Sequence, residues 1–185
     1  MTKKPDILAT KLLAQTRLFG IEQVDLRFSN GVTTTYERMR SSGAGAVLII
    51  PLIDPETVLM IREYAVGVDR YELALPKGRM EVGEDMLDAA NRELMEEVGY
   101  GANQLQHLSS VTLAPGYFGH VTHIILARDL YEKRLLGDEP EEIEVVPWKI
   151  KDLASLLARA DCTEARTIAA LYMVKQQLMD EVYDE

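Results

Sequence analysis

Residues 78–100 read GRMEVGEDMLDAANRELMEEVGY. The glycine-containing segment from Gly78 to Gly83 is typical of a loop. From Glu84 to Val98 the apolar residues recur at helical spacing, which predicts an amphipathic helix. Gly99 stands where a helix commonly ends. The stretch therefore predicts a loop followed by one helix.

The acidic residues of this helix are clustered. Between Glu84 and Glu97 there are six acids and one base, Arg92. Glu93, Glu96 and Glu97 follow the i, i+3, i+4 spacing, so their carboxylates share one face, where like charges repel. A solvated acidic surface is one interpretation. The other is a site for Mg²⁺ or Mn²⁺, hard cations that prefer carboxylate oxygens and would cancel the repulsion.

Composition limits the function classes. The chain has 185 residues, a size typical of one domain, and a net charge of −10, which argues against broad contact with nucleic acid or an anionic membrane. A small-molecule substrate fits better. Cys162 is the only cysteine, which excludes an intramolecular disulfide and a cysteine zinc cluster and favours the cytoplasm. No stretch is long and apolar enough to predict a membrane span or an export signal.

The rest of the chain alternates strand and helix patterns. Asn30-Gly31 predicts the turn of a hairpin between strands 19–28 and 32–40. Further strands are expected at 46–54, 58–66, 107–114, 120–129 and 143–148, and helices near 150–159 and 163–182. We expect a mixed-sheet α/β/α sandwich with an N-terminal antiparallel β-ribbon. Residues 1–45 would hold the ribbon and 46–185 the main domain.

Several residues of the stretch 78–100 resemble the sequence signature of a known superfamily. Gly78, Glu84, Arg92-Glu93, Glu96-Glu97 and Gly99 match the fixed positions of the Nudix box. The family usually has an aliphatic residue where Tyr100 stands, a difference expected to affect packing only. The resemblance implies the Nudix fold and a phosphoanhydride hydrolase.

It also implies roles for individual residues. Glu93, Glu96 and Glu97 would be metal ligands, with the Lys77 carbonyl as a further ligand and Arg92 orienting the carboxylates through salt bridges. Glu84 is the remaining fixed acid of the box. Mg²⁺ is the expected cofactor, with Mn²⁺ as an alternative.

Substrate class has to be inferred from outside the box. Pro115, sixteen residues after Gly99, lies in Ala114-Pro115-Gly116-Tyr117-Phe118, which resembles the proline mark of ADP-ribose pyrophosphatases. The alternative is an ordinary turn. We therefore treat Pro115 and Tyr117 as candidate substrate contacts.

An acidic loop is the expected source of the catalytic base. Residues 137–142, GDEPEE, resemble the loop that supplies a catalytic carboxylate in ADP-ribose pyrophosphatases. Either Glu139 or Glu141 is a candidate base, and a solvated surface charge is the alternative for each.

At two positions the sequence differs from that of the ADP-ribose pyrophosphatases. These differences limit which substrate-binding roles can be transferred from that group. Ala65 stands where the group has an arginine, and Arg62 is one of the nearest cations. Ala74 stands where the group has a glutamate, and Glu72 lies two residues earlier on the same strand face. Arg62 and Glu72 are therefore candidate substrate-binding residues.

The resemblance extends to bacterial ADP-compounds hydrolases over most of the chain. The segments that carry it are FSNGV (28–32), YERMR (36–40), IREYAVG (61–67), ANRELMEEVG (90–99), GDEPE (137–141) and EAR (164–166). It implies metal-dependent hydrolysis of ADP-ribose, NADH or diadenosine polyphosphates, releasing AMP and a second phosphorylated product.

Two rivals remain open, a Nudix-fold sensor that binds an ADP-ribose-like ligand without cleaving it and a dedicated NADH pyrophosphatase. The intact glutamates argue against the sensor, and missing zinc-type cysteines argue against the pyrophosphatase. We also expect a homodimer in which residues 19–40 cross to the partner and help to form its substrate site, because a two-stranded ribbon is marginal alone. Packing on its own domain is the alternative.

Overall fold

The computed structural model of the protein describes residues 3–40, 43–138 and 140–183. The chain divides into two compact units. One comprises Met1–Gly43 with Thr112–Val121, and the other comprises Ala44–Val111 with Thr122–Glu185. We refer to them as the N-terminal unit and the main unit.

The N-terminal unit is built on an antiparallel sheet of three strands. They are β1 (Asp6–Gln15), β2 (Gly20–Arg27) and β3 (Thr33–Met39), in the order β1-β2-β3. The predicted hairpin is present, and Gly31 has a φ of +84° in its turn, which glycine adopts without steric cost. The sheet has three strands rather than the two of the predicted ribbon, because β1 pairs with β2 as a third strand.

Within its described residues, the main unit contains a mixed sheet of seven strands and three α-helices. Five strands follow the order β10-β5-β4-β9-β8, while β6 pairs with β5 and β7 pairs with β4. The strands are β4 (Ala46–Asp54), β5 (Thr57–Ala65), β6 (Arg70–Ala74), β7 (Lys77–Arg79), β8 (Tyr100–Thr112), β9 (Val121–Glu132) and β10 (Glu144–Lys149). The helices are α1 (Met86–Glu97), α2 (Leu153–Leu157) and α3 (Ala165–Tyr183).

Alternate residues of β4 pack into two separate cores. Val47 and Ile49 contact the core that contains Ala90 and Leu94 of α1. Leu48 and its neighbours at every second position contact the core that contains residues of α2 and α3. Because successive side chains of a strand point to opposite faces, the sheet lies between α1 on one face and α2 and α3 on the other. The expected α/β/α sandwich is confirmed.

The parallel pair β4–β9 lies at the centre of this sheet. Residues 46–52 of β4 are all buried, as expected for a strand covered on both faces. Next to β4, the short strand β7 begins the box loop and pairs Gly78 with Val47. The central strand therefore holds the start of the box beneath α1. No helix in the described part of the chain is long and apolar enough to cross a membrane.

Candidate active site

The box helix α1 has defined ends. The Asp85 side chain accepts a hydrogen bond of 2.8 Å from the amide of Leu87, which caps the N-terminus. At the other end the amides of Val98 and Gly99 both donate to the carbonyl of Leu94, and Gly99 has a φ of +84°. Because both ends of the helix are defined, the clustered glutamates lie in its C-terminal half.

Arg92 is the centre of the charge network on this helix. Its Nε and Nη2 donate to the two oxygens of Glu84 at 2.9 and 3.0 Å. Its Nη1 donates to Glu93 at 2.7 Å and to Glu96 at 3.0 Å. The hydrogen bond from Arg92 is the main cause that lowers the pKa of Glu84. Arg92 thus contacts three box carboxylates at once.

Glu97 is the most deeply buried of these acids, with 4% of its surface exposed. Its Oε2 accepts a hydrogen bond of 2.8 Å from the amide of Lys77. Burial raises the pKa of Glu97 to about 8, against the opposing effects of the Lys77 charge and amide. A cation bound beside this carboxyl group would favour its ionised form.

Gly78 is required by the close approach of Glu93. A Cβ atom added at residue 78 would lie 1.9 Å from the carboxyl carbon of Glu93. The absence of a side chain at Gly78 therefore leaves the space that the Glu93 carboxylate occupies.

These groups line one acidic cavity of about 720 Å³ in the main unit. The walls come from the box loop, α1, β5 and the segment after β9. The lining residues are Glu63, Lys77, Gly78, Arg79, Met80, Glu81, Val82, Arg92, Glu93, Glu96, Glu97, Leu136, Gly137 and Asp138. The structure therefore brings Lys77, Arg92 and the three clustered glutamates to one cavity.

Two acids of this cavity that lie outside the box, Glu63 and Asp138, were not candidates from the sequence. Glu63 on β5 accepts a hydrogen bond of 3.0 Å from Lys77 Nζ, and Asp138 belongs to the acidic loop. Both lie far from the box in sequence. The IREYAVG and GDEPE segments of the resemblance contained them, but no spacing rule marked either residue.

The side chains around the cavity are held by protein donors. In residues 3–40, 43–138 and 140–183, no three carboxylate, imidazole or thiol groups already converge to hold a metal ion. Arg92 contacts Glu93 and Glu96, and the Lys77 amide contacts Glu97. The oxygen donors suit a hard divalent cation in type, and each carboxylate has acceptor sites beyond the one that a protein donor occupies.

Arg62 and Glu72 lie in ion-pair networks outside this cavity lining. Arg62 donates to Asp161 at 2.6 Å and to Glu144 at 2.9 Å. Glu72, 7% exposed, accepts hydrogen bonds from Arg70 and from both the amide and the hydroxyl of Thr163. Both residues thereby connect the strands to the segment between α2 and α3.

Pro115 and Tyr117 belong to the N-terminal unit. The Tyr117 carbonyl accepts a hydrogen bond of 2.8 Å from the amide of Met39 at the end of β3. Phe118 forms a parallel bridge with Met39. The turn that contains Pro115 is thus attached to the three-stranded sheet.

Of the two candidate bases in the acidic loop, the structure describes Glu141 and not Glu139. Glu139 lies outside the described residues. Glu141 lies in a second, smaller cavity of about 290 Å³, which Tyr64 and Tyr71 also line. Its Oε1 accepts a hydrogen bond of 2.7 Å from the Tyr71 hydroxyl. In this structure Glu141 is therefore not part of the acidic-cavity lining.

Two family descriptions match the chain. Residues 5–38 match the NudE-type Nudix hydrolase N-terminal domain, and residues 44–171 match the NUDIX domain. The chain belongs to the NUDIX family. The family generally uses divalent metal ions, which agrees with the donor types found around the cavity. The resemblance read from the box is therefore confirmed.

Relatives within the NUDIX family match nearly the whole chain. The ADP compounds hydrolase NudE of Escherichia coli (strain K12) is 48% identical, covering 95% of this chain and 94% of that protein. The ADP-ribose pyrophosphatase of Bacillus subtilis (strain 168) is 30% identical, covering 89% and 91%. A crystal structure of an ADP compounds hydrolase matches with a TM-score of 0.92 and 46% identity, covering 98% of this chain and 97% of that chain.

Proposed function

We propose that this protein hydrolyses the pyrophosphate bond of ADP-containing compounds, including ADP-ribose, NADH and diadenosine polyphosphates. The observation that carries the proposal is the acidic cavity, in which Glu93, Glu96 and Glu97 of one helix meet Lys77 and Arg92. Relatives that match most of the chain are an ADP compounds hydrolase and an ADP-ribose pyrophosphatase. The cavity and the relatives point to the same chemistry.

The reaction adds one water molecule across the phosphoanhydride. The water oxygen bonds to one phosphorus, the bridging P–O bond breaks, and the bridging oxygen leaves on the other phosphate. With ADP-ribose the products are AMP and ribose 5-phosphate. One proton of the attacking water passes to a general base. A carboxylate within hydrogen-bond reach of that water can act as this base.

Mg²⁺ is the proposed cofactor, and Mn²⁺ is the alternative. Glu93, Glu96, Glu97 and the Lys77 carbonyl would hold it. When bound, such an ion polarises phosphoryl oxygens, lowers the pKa of water and neutralises the leaving group. Arg92 keeps two of these carboxylates on the cavity side of α1 through its hydrogen bonds to Glu93 and Glu96.

The acidic loop supplies the proposed base. Glu139 and Glu141 remain the candidates from the sequence, and Asp138 joins them because it lines the acidic cavity. Glu141 would have to leave the Tyr71 hydroxyl to reach that cavity. Single replacements of the three acids by their amides would identify the base by the largest loss of kcat.

The substrate contacts remain a separate proposal. Pro115 and Tyr117 would contact the ADP moiety. Arg62 and Glu72 are the further proposed substrate-binding residues. Their hydrogen bonds to Asp161, Glu144, Arg70 and Thr163 would hold their side chains in place.

A homodimer formed through the N-terminal unit is also proposed. All ten residues of β1 are exposed. Large apolar side chains of this unit are among the exposed ones: Ile7, Leu8, Leu12, Leu13, Leu18, Phe19, Ile21, Val32 and Tyr36. Removing such an exposed apolar surface from water lowers the free energy of the protein. A second copy of the chain would cover this surface. A cytoplasmic location, expected from the single cysteine, stays a prediction.

A substrate panel tests the proposed activity. We expect kcat/KM for ADP-ribose, NADH or diadenosine triphosphate, measured with Mg²⁺, to exceed that for dGTP. A clear preference for dGTP would show that the ADP assignment is wrong. Saturable binding of ADP-ribose with no product from any compound would instead favour a non-catalytic sensor, against which the complete set of box glutamates argues.

A further inference from the structure

Two histidines of the main unit lie side by side on neighbouring strands. His107 belongs to β8 and His123 to β9, and these strands are adjacent in the sheet. His123 pairs with Val47 of β4, whose side chain is part of the core that contains α1 residues. Leu105, two residues before His107, packs against that same core. Because alternate residues of a strand share a face, both imidazoles lie on the α1 side of the sheet.

The hydroxyl group of Ser110 connects the two rings. Its Oγ lies 3.0 Å from Nε2 of His107 and 2.8 Å from Nδ1 of His123. The ring centroids are 5.8 Å apart, and the ring planes make an angle of 63°. One nitrogen atom of each imidazole is therefore directed at the same point.

The protonation of the two rings is compatible with metal binding. A neutral imidazole carries one proton, which can sit on either nitrogen, so both of the nitrogens that face Ser110 Oγ can present a lone pair. Burial, together with the charge of His107, lowers the pKa of His123. The His123 ring is thus neutral at pH 7, and the neutral ring is the form that binds a metal ion.

This histidine pair differs from the acidic cavity in its ligand type. The residues that line the acidic cavity do not include His107, Ser110 or His123. The donors of that cavity are carboxylates, which suit Mg²⁺, whereas imidazole nitrogen suits Zn²⁺ and related transition-metal ions better. The net charge of −10 favours the approach of cations in general. The chain therefore offers different ligands to two classes of cation.

We propose that His107 and His123 form a binding site for a divalent transition-metal ion of the Zn²⁺ type, separate from the acidic cavity. Nε2 of His107 and Nδ1 of His123 are the protein ligands, and water completes the coordination. A Zn–N bond is about 2.0–2.1 Å long, shorter than the present distances to Ser110 Oγ. The two rings therefore close toward the ion, and the Ser110 hydroxyl is displaced from between them.

Nitrogen NMR of the imidazoles tests the assigned ligand atoms. The chain has three histidines, so a two-bond ¹H–¹⁵N spectrum of the untagged, histidine-labelled protein shows three ring systems. Zn²⁺ added in excess Mg²⁺ should fix the proton of His107 on Nδ1 and that of His123 on Nε2, because the other nitrogen of each ring binds the ion. His120, stacked on Phe118, is the internal control and should keep its spectrum. Coordination through the opposite nitrogens, or no change at either ring, would overturn the proposal.

Calorimetry tests whether both rings are required. With Zn²⁺ as titrant and excess Mg²⁺ present, His107→Ala and His123→Ala should each weaken binding at this site at least about tenfold, the smallest loss typical of even an indirect metal contact. His120→Ala is the matched control and should retain the wild-type affinity. An unchanged Zn²⁺ affinity in the double variant His107→Ala/His123→Ala would overturn the proposal.

Thermal melting gives a further readout that needs no substrate. An ion that binds the folded chain raises its Tm, so the rise caused by Zn²⁺ in excess Mg²⁺ should be smaller in His107→Ala than in His120→Ala. Melting of both variants without Zn²⁺ checks that they are folded. Lack of hydrolase activity would contradict the proposed function and leave these results unaffected. An equal rise of Tm in both variants would mean that the ion binds elsewhere, contrary to the proposal.

Discussion

Gly78 and Glu93 show how a single residue can control the acidic cavity. A Cβ at position 78 would meet three carboxylate atoms of Glu93 within 2.1 Å. These atoms are the far end of a flexible side chain, so the backbone need not move. A methyl group at Gly78 would therefore displace the carboxylate rather than unfold the loop.

This geometry gives the first prediction. Gly78→Ala should lower kcat by about 10²-fold, the cost of misplacing a catalytic group by about 1 Å, with melting temperature close to that of the wild type. Gly67→Ala is the control, since a Cβ there would meet nothing within 4 Å, and it should leave kcat unchanged. Wild-type turnover in Gly78→Ala would mean that the position of Glu93 does not matter.

At the residue scale, the sequence predicted the groups that are close together along the chain. Helical spacing was enough to place Glu93, Glu96 and Glu97 on one face. Glu63 and Asp138 could not be predicted to join them, because β5 and the acidic loop meet α1 only after the sheet has formed. Local spacing carries no information about such long-range contacts.

Among the elements, long periodic segments were predicted and short or weakly patterned ones were not. The box helix was expected at 84–98 and extends over Met86–Glu97. Strands β6 and β7 have five and three residues, too few for a clear alternation. Strand β1, DILATKLLAQ, is rich in residues that favour helices. Its pairing with β2 overrides that preference.

Asp161 links the segment after α2 to β5 through its side-chain hydrogen bonds. Arg159 and Arg62 both donate to this carboxylate, and the bond from Arg159 is the main cause that holds the pKa of Asp161 well below its usual range. A carboxyl group with a lowered pKa in the folded state stabilises the fold above its unfolded pKa. That contribution is lost as pH falls through the folded value.

The second prediction follows from the direction of this pH dependence. Asp161→Asn should lower the free energy of unfolding by about 1 kcal/mol at pH 7, as for a partly exposed ion pair. The deficit should be the same at pH 5 and shrink below about pH 4, because the carboxyl group of the unfolded chain gains its proton at a higher pH than that of the folded protein. Urea unfolding at several pH values measures it, with the exposed Asp180→Asn as control. A deficit that grew below pH 4 would contradict the assigned pKa direction.

For the whole molecule, the exposed apolar residues of the N-terminal unit predict association. Light scattering at micromolar concentration should give twice the chain mass of 20.8 kDa. Leu12→Lys, on β1, places a charge where 49% of a leucine is exposed and should shift the mass toward one chain. Met179→Lys, at a 45% exposed position on α3, is the control and should not. A monomeric wild type that is fully active would rule out a dimer as a requirement for activity.

We propose that the buried carboxylates of the NUDIX box are required for metal-dependent hydrolysis of an ADP compound. The most direct test is the rate of AMP release from ADP-ribose with Mg²⁺ for wild type, Glu97→Gln and Asp88→Asn. Both variants replace a carboxyl group of the same helix by its amide, but Glu97 is buried in the cavity and Asp88 is exposed in the first turn. We expect kcat to fall by orders of magnitude in Glu97→Gln, with the fold retained, and to stay near wild type in Asp88→Asn. Near-normal turnover in Glu97→Gln would contradict the account.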